Sequence, residues 1–228
     1  MLFNELSLFG IVIKEPGTII SDLIMGTFCI VLFAKLLIRK EFHNQKYFSQ
    51  FFLFLGFSSI VAAFAHGLFH YFGIYLHKVS WILSGFALYF LQLGSSSMFN
   101  NPKFKSKFII YIKFQLLTYL VLLMFTEGFL IVKINYALTL IGVLAPIFTV
   151  DMIKNNFKHN LYILIGIFLA IIPSIFHRTP LNFLYIFNMN DLSHFFLILC
   201  IFFLFLGVKE RFYELPNLKD KLPGFKKQ

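Results

Sequence analysis

The chain has 228 residues, of which 59% are hydrophobic and only 13% charged, with 34 phenylalanines, whereas a soluble domain carries roughly 25% charged residues. Its mean hydropathy of +0.81 excludes a soluble domain and describes an integral membrane protein. The formal charge of +10 is therefore informative through the membrane face on which it falls.

The first ten residues, MLFNELSLFG, lack the basic n-region and small-residue cleavage site of a signal peptide. The N-terminus is expected to cross with the first helix, with the apolar-rich residues before Lys14 on the outer surface as a short interfacial helix. Apolar runs at 18–38, 48–73, 79–99, 108–126, 129–150, 160–176 and 189–207 suit the roughly 20-residue span of a bilayer. They predict an all-α, polytopic bundle of seven transmembrane helices. The sixth is the weakest, being short with Pro173 near its end, and Glu127-Gly128 implies a tight hairpin between the fourth and fifth. The expected organisation is an extracytoplasmic segment over 1–17, a seven-helix domain over 18–207 and a basic cytoplasmic tail over 208–228.

Lys and Arg set the orientation. Fourteen fall in the first, third and fifth loops and the tail, among them Arg39, Lys40, Lys103, Lys105, Lys154 and Lys158, against four on the opposite side, Lys14, Lys78, Lys133 and Arg178. The positive-inside rule then places the N-terminus outside and the tail in the cytoplasm. Basic residues on one face are drawn to anionic lipid headgroups, so membrane lipids are the expected partners and nucleic acid is not. The Phe, Ile, Lys and Asn bias suggests an AT-rich bacterial source and its cytoplasmic membrane.

Cys29 and Cys200 fall mid-span and read as packing residues. Gln92 and Gln115 read as bonds between helices. Ser95-Ser96-Ser97 reads as a helix-end feature on the far side from the other polar residues. His177-Arg178 reads as a headgroup contact or a snorkelling arginine.

A charged group at bilayer depth costs about 2.5 to 3.5 kcal/mol on insertion scales, so the polar residues within the spans carry the functional signal. Glu15 sits at the outer mouth of helix 1, with Asp22 seven residues on along one face. His66 and His70 are four apart near the outer end of helix 2. Asn190, Asp191 and His194 occupy the first two turns of helix 7. At about 1.5 Å per residue, Asp22, His70 and His194 all come out on the order of 5 to 8 Å below the outer boundary. Two histidines at i, i+4 with a third from another helix can give zinc three nitrogen ligands and leave a fourth position for water. Asp22 or Asp191 would then orient a ligand or act as general base. The alternative is that the histidines are interfacial hydrogen-bonders and that Asn190 and Asp191 cap helix 7.

The Glu15-Pro16-Gly17-Thr18 start of helix 1, the Gly67-to-His70 end of helix 2 and the FNMNDLSH opening of helix 7 resemble a group of uncharacterised seven-helix bacterial membrane proteins. These are similar in turn to the CREST superfamily of alkaline ceramidases and progestin/adiponectin-receptor relatives. The resemblance implies a seven-helix bundle with a buried zinc held by one histidine of helix 2 and two of helix 7, hydrolysing a lipid amide. The chain departs from that pattern at Asn190, where the superfamily's HxxxH has its first histidine, and at Met189, where the bacterial group has one. Ala62 precedes His66 where a serine is expected, with Ser59 one turn-pair earlier. Only Ser80 and Ser84 stand near the expected helix 3 aspartate. Either His66 replaces the lost helix 7 ligand or the scaffold persists without the metal. HExxH, GxSxG, Gly-rich phosphate loops and CxxC are absent.

Two functions follow. One is a zinc-dependent hydrolase taking an amphipathic lipid substrate from the outer leaflet, with His66, His70 and His194 on the metal and Asp22 and Asp191 moving the proton. The other is a non-enzymatic lipid or small-molecule sensor, or a proton-linked carrier, that uses the same residues as a hydrogen-bonded cluster.

Overall fold

A computed structural model of the chain describes residues 5–8, 10–37, 45–156, 158–176 and 189–219. Arg39, Lys40, His177, Arg178, Phe187, Asn188 and the last nine residues lie outside the described residues.

The N-terminal segment is a β-hairpin, which corrects the interfacial helix expected there. Strands β1 (Glu5–Leu8) and β2 (Ile11–Lys14) pair antiparallel with Glu5 opposite Lys14. Gly10, at φ 81°, supplies the left-handed residue of the turn that a two-residue hairpin loop needs. An ion pair of 3.3 Å between Lys14 Nζ and Glu5 Oε1 closes the open end.

Among the described residues the elements that follow are all helices: α1 (Pro16–Leu37), α2 (Gln45–Gly67), α3 (Phe69–Phe72), α4 (Tyr75–Ser95), α5 (Pro102–Phe125), α6 (Leu130–Ala137), α7 (Ala145–Asn155), α8 (Asn160–Phe176) and α9 (Met189–Lys219). Among the described residues six helices are long and apolar enough to cross a membrane, the architecture of an integral membrane protein, and Asn160–Pro173 is a shorter apolar helix. The starts are specified locally. Pro16 opens α1 at a position where its missing N–H is no loss, and Asn101 caps α5 by accepting from the Lys103 and Phe104 amides at 2.9 and 3.3 Å. α4 ends in a 3-10 turn (Ser96–Met98) where Ser95, Ser96 and Ser97 each donate to a carbonyl of their own helix.

α6 and α7 form one span through a π-helical turn, Leu138–Leu144. Pro146 supplies the reason. It has no N–H for the preceding turn, and the widened ladder resumes with Ala145 N–H donating to Leu140 O.

The α2 span is shorter than the 48–73 run predicts. It stops at Gly67, whose missing side chain leaves room for Ile19 of α1: a Cβ there would stand 2.7 Å from Ile19 Cδ1. The same device sets α1 against α2, where a Cβ on Gly26 would meet Gly56 O at 2.9 Å, so the two backbones touch as in small-residue membrane crossings. Gly166 and Gly207 seat α8 on α9 likewise. α4 is clasped to α2 by Ser58 and Ser80, each hydroxyl donating to the other's carbonyl at 2.9 Å. Cys29 and Cys200 are buried free thiols within the main core, beside Met25, Phe52 and Leu204.

Candidate functional site: a polar cluster between α1, α2 and α9

The Gly26–Gly56 crossing and the packing of α9 on α1 bring the polar ends of three helices together. Asp22 is buried on α1 at 2% exposure, and Asp191, in the first turn of α9, at 6%. His194 joins them. Its Nδ1 lies 2.7 Å from Ser21 Oγ and its Nε2 lies 3.5 Å from Asp22 Oδ1. Ser21 Oγ also stands 3.3 Å from Asp191 Oδ1 and 3.0 Å from Thr18 O. The second carboxylate oxygen of Asp22 is buried and has no hydrogen-bond partner among the described residues.

A second set of contacts lies at the start of α1. Glu15 Oε2 is 3.1 Å from His66 Nδ1 and accepts from Asn190 Nδ2 at 3.3 Å, so α1, α2 and α9 meet at one carboxylate. Glu15 is held at φ 46°, a left-handed conformation that disfavours any residue but glycine. Backbone strain of this kind collects at functional sites. His77, at the start of α4, sets its ring edge-on to His66 at 4.8 Å and lies 5.9 Å from Trp81.

The hydrogen bond from His66 holds the Glu15 carboxyl below its ordinary 4.5, against burial, which acts in the opposite direction. A lowered carboxyl contributes stability that is present above its unfolded value and lost as pH falls through the folded one. Thermal melts of the wild type should therefore lose stability below about pH 4.5, and Glu15→Gln should flatten that part of the profile. A Glu15→Gln profile parallel to wild type would refute the linkage.

Of the residues singled out in the sequence, Asp22, Asp191, His66 and His194 come together around α1, and His70 does not. The spacing argument for His66 and His70 required an unbroken helix, but α2 ends at Gly67 and His70 falls on the four-residue α3. There it is exposed, its ring 5.3 Å from Tyr71. The three-imidazole zinc set therefore does not fit this arrangement, and among the described residues no three His, Cys, Asp or Glu side chains form a group able to hold a metal ion. Ser80 and Ser84 are taken up in structural bonds, Ser80 with Ser58 and Ser84 with Trp81 O at 2.8 Å. Glu127 is exposed.

Ser21 and His77 are the members that the sequence reading missed. Ser21 had a signal, as a hydroxyl adjoining a mid-span aspartate. His77 shares the outer depth of His66 only if the chain between them turns back at once, as it does through α3 and Gly73 (φ 52°).

No curated protein and no solved structure matches the chain. The profile of a family of unknown function, DUF6962, matches residues 17–212, and the chain belongs to that family.

Proposed function

We propose, for this member of a family whose function is unknown, a proton-linked carrier: a seven-helix membrane protein with its N-terminus outside and its basic tail in the cytoplasm, whose outer polar cluster binds a small or amphipathic molecule together with a proton. The bacterial cytoplasmic membrane is the setting that composition suggests. α8 serves as the seventh crossing, short enough to need local thinning of the bilayer. The excess of Lys and Arg on one face supports the orientation.

One observation carries the reading. His194 faces an oxygen at each ring nitrogen, Ser21 Oγ on one side and Asp22 Oδ1 on the other, while Asp22 Oδ2 lacks a donor. A neutral imidazole has a single N–H and can donate to one side only. Protonation of Asp22, with the His194 N–H passing from Nε2 to Nδ1, therefore reverses which of Ser21 and Asp22 accepts. The lone oxygen of Asp22 needs a donor of its own, and an arriving proton or an N–H or O–H of a bound molecule supplies it. Proton and ligand act on one carboxylate, which is the coupling a carrier requires.

Infrared titration of the protein in nanodiscs tests this. A protonated-carboxyl band should appear on acidification, vanish in Asp22→Asn and shift in His194→Gln. A titration without an Asp22 band overturns the proposal. So does metal analysis finding about one zinc per chain that is lost with His66→Ala or His194→Ala, a result that would restore the zinc-dependent amide hydrolase with an amphipathic lipid substrate.

A further inference from the structure

A second polar group lies elsewhere in the bundle, between α4, α5 and the π-helical turn. Gln92 of α4 donates from Nε2 to Thr139 Oγ1 at 3.1 Å, and Gln115 of α5 donates to the same hydroxyl oxygen at 2.9 Å and to Asn135 Oδ1 at 2.8 Å. Three spans converge on Thr139, itself fully buried in the π-helical turn. Gln115 is 13 residues into α5, about 20 Å from its start at 1.5 Å per residue, so bulk water is remote.

The side-chain oxygens of Gln92 and Gln115 are both buried and lack hydrogen-bond partners among the described residues. Gln92 is only 2% exposed. Both amides line a narrow gap between α4, α5 and α6, bounded also by Gly85, Leu88 and Asn135. That space is spread so thinly that it nowhere seats a water molecule. Two unmatched acceptors, with a third oxygen on Thr139 and a fourth on Asn135, gather four neutral oxygens at one place in the bundle.

We propose that Gln92, Gln115, Asn135 and Thr139 form a binding site for a dehydrated monovalent cation of the size of sodium. The oxygens are all neutral and no charged side chain lines the space, so a single charge suits it where an uncompensated dication would not. A bare sodium ion is smaller than water and enters where water cannot, with amide and hydroxyl oxygens replacing its hydration shell. Irregular helix turns that free backbone carbonyls at bilayer depth are a recurring device for holding such ions, and here the π-helical turn brings Thr139 into the set.

Thermal unfolding of the intact protein in nanodiscs tests the site, with sodium chloride compared with choline chloride at equal ionic strength. Sodium should raise the Tm saturably above its value in choline, and Gln92→Leu combined with Gln115→Leu should abolish the increment. Should that pair fail to fold, Thr139→Val, which removes the shared oxygen while keeping the shape, should weaken the response at least tenfold in half-saturating sodium concentration. An equal Tm in the two salts overturns the proposal, as does a sodium response that survives the substitutions.

Discussion

Gly26→Leu should lose about 3 kcal/mol of stability, enough to remove most folded protein from the membrane. A Cβ on Gly26 would already stand 2.9 Å from Gly56 O and 2.7 Å from Ile60 Cγ1. Ile60 Cγ1 can turn away, but the Gly56 carbonyl belongs to the α2 ladder and moves only if the helix moves. Overpacking of this kind costs about 1 to 3 kcal/mol, and leucine adds three carbons beyond the first. The same crossing positions Asp22, one turn before Gly26, so Gly26→Ala should give a milder loss of stability together with a disturbed cluster. Tm in nanodiscs and the carboxyl infrared band measure the two effects separately. A Gly26→Leu protein as stable as wild type would mean that α1 and α2 do not touch there.

Asp22→Asn should do the reverse, removing proton exchange entirely while leaving the fold as stable as wild type or more so by about 1 kcal/mol. A buried carboxylate with one oxygen unmatched carries the desolvation cost of that oxygen, about 1 to 3 kcal/mol, and a neutral amide of the same shape lowers it. Asparagine keeps the shape and retains a hydrogen-bonding group toward His194. If Asp22 served only to hold α1 against α9, Asp22→Asn would lower the Tm, and that result would count against the proton-linked reading.

The membrane helices were legible because a window of some 20 apolar residues carries its meaning locally. The outer cluster was legible to the extent that depth can be counted: Asp22, His66, Asp191 and His194 each lie a countable number of residues from a span end. His70 failed because counting on one helix presumes that the helix continues, whereas α2 ends at Gly67 and His70 falls on α3. The N-terminal strands were present as an alternating ELSL and a β-branched IVIK about a glycine turn, a pattern too short to be told from a surface helix. Which hydroxyl meets His194 was beyond the sequence, since α1 and α9 are 170 residues apart at Ser21 and Asp191. The π-helical turn had a local mark in Pro146, although a proline also fits a plain kink.

The hairpin bears on how the molecule answers a mechanical pull. β2 ends at Lys14 and the next residue is Glu15, so no slack separates the strand from the strained backbone that holds His66 and Asn190. Glu5 and Lys14 form the open end, and force on the N-terminus therefore unzips the hairpin one rung at a time. The hydrogen bond of 3.1 Å from Val12 N to the Tyr71 hydroxyl moors β2 to α3 throughout. Glu15 carries that tension from the start, but no more of it than a single rung withstands until the last rung has opened, and in this sense the hairpin is a mechanical fuse in series with the polar cluster.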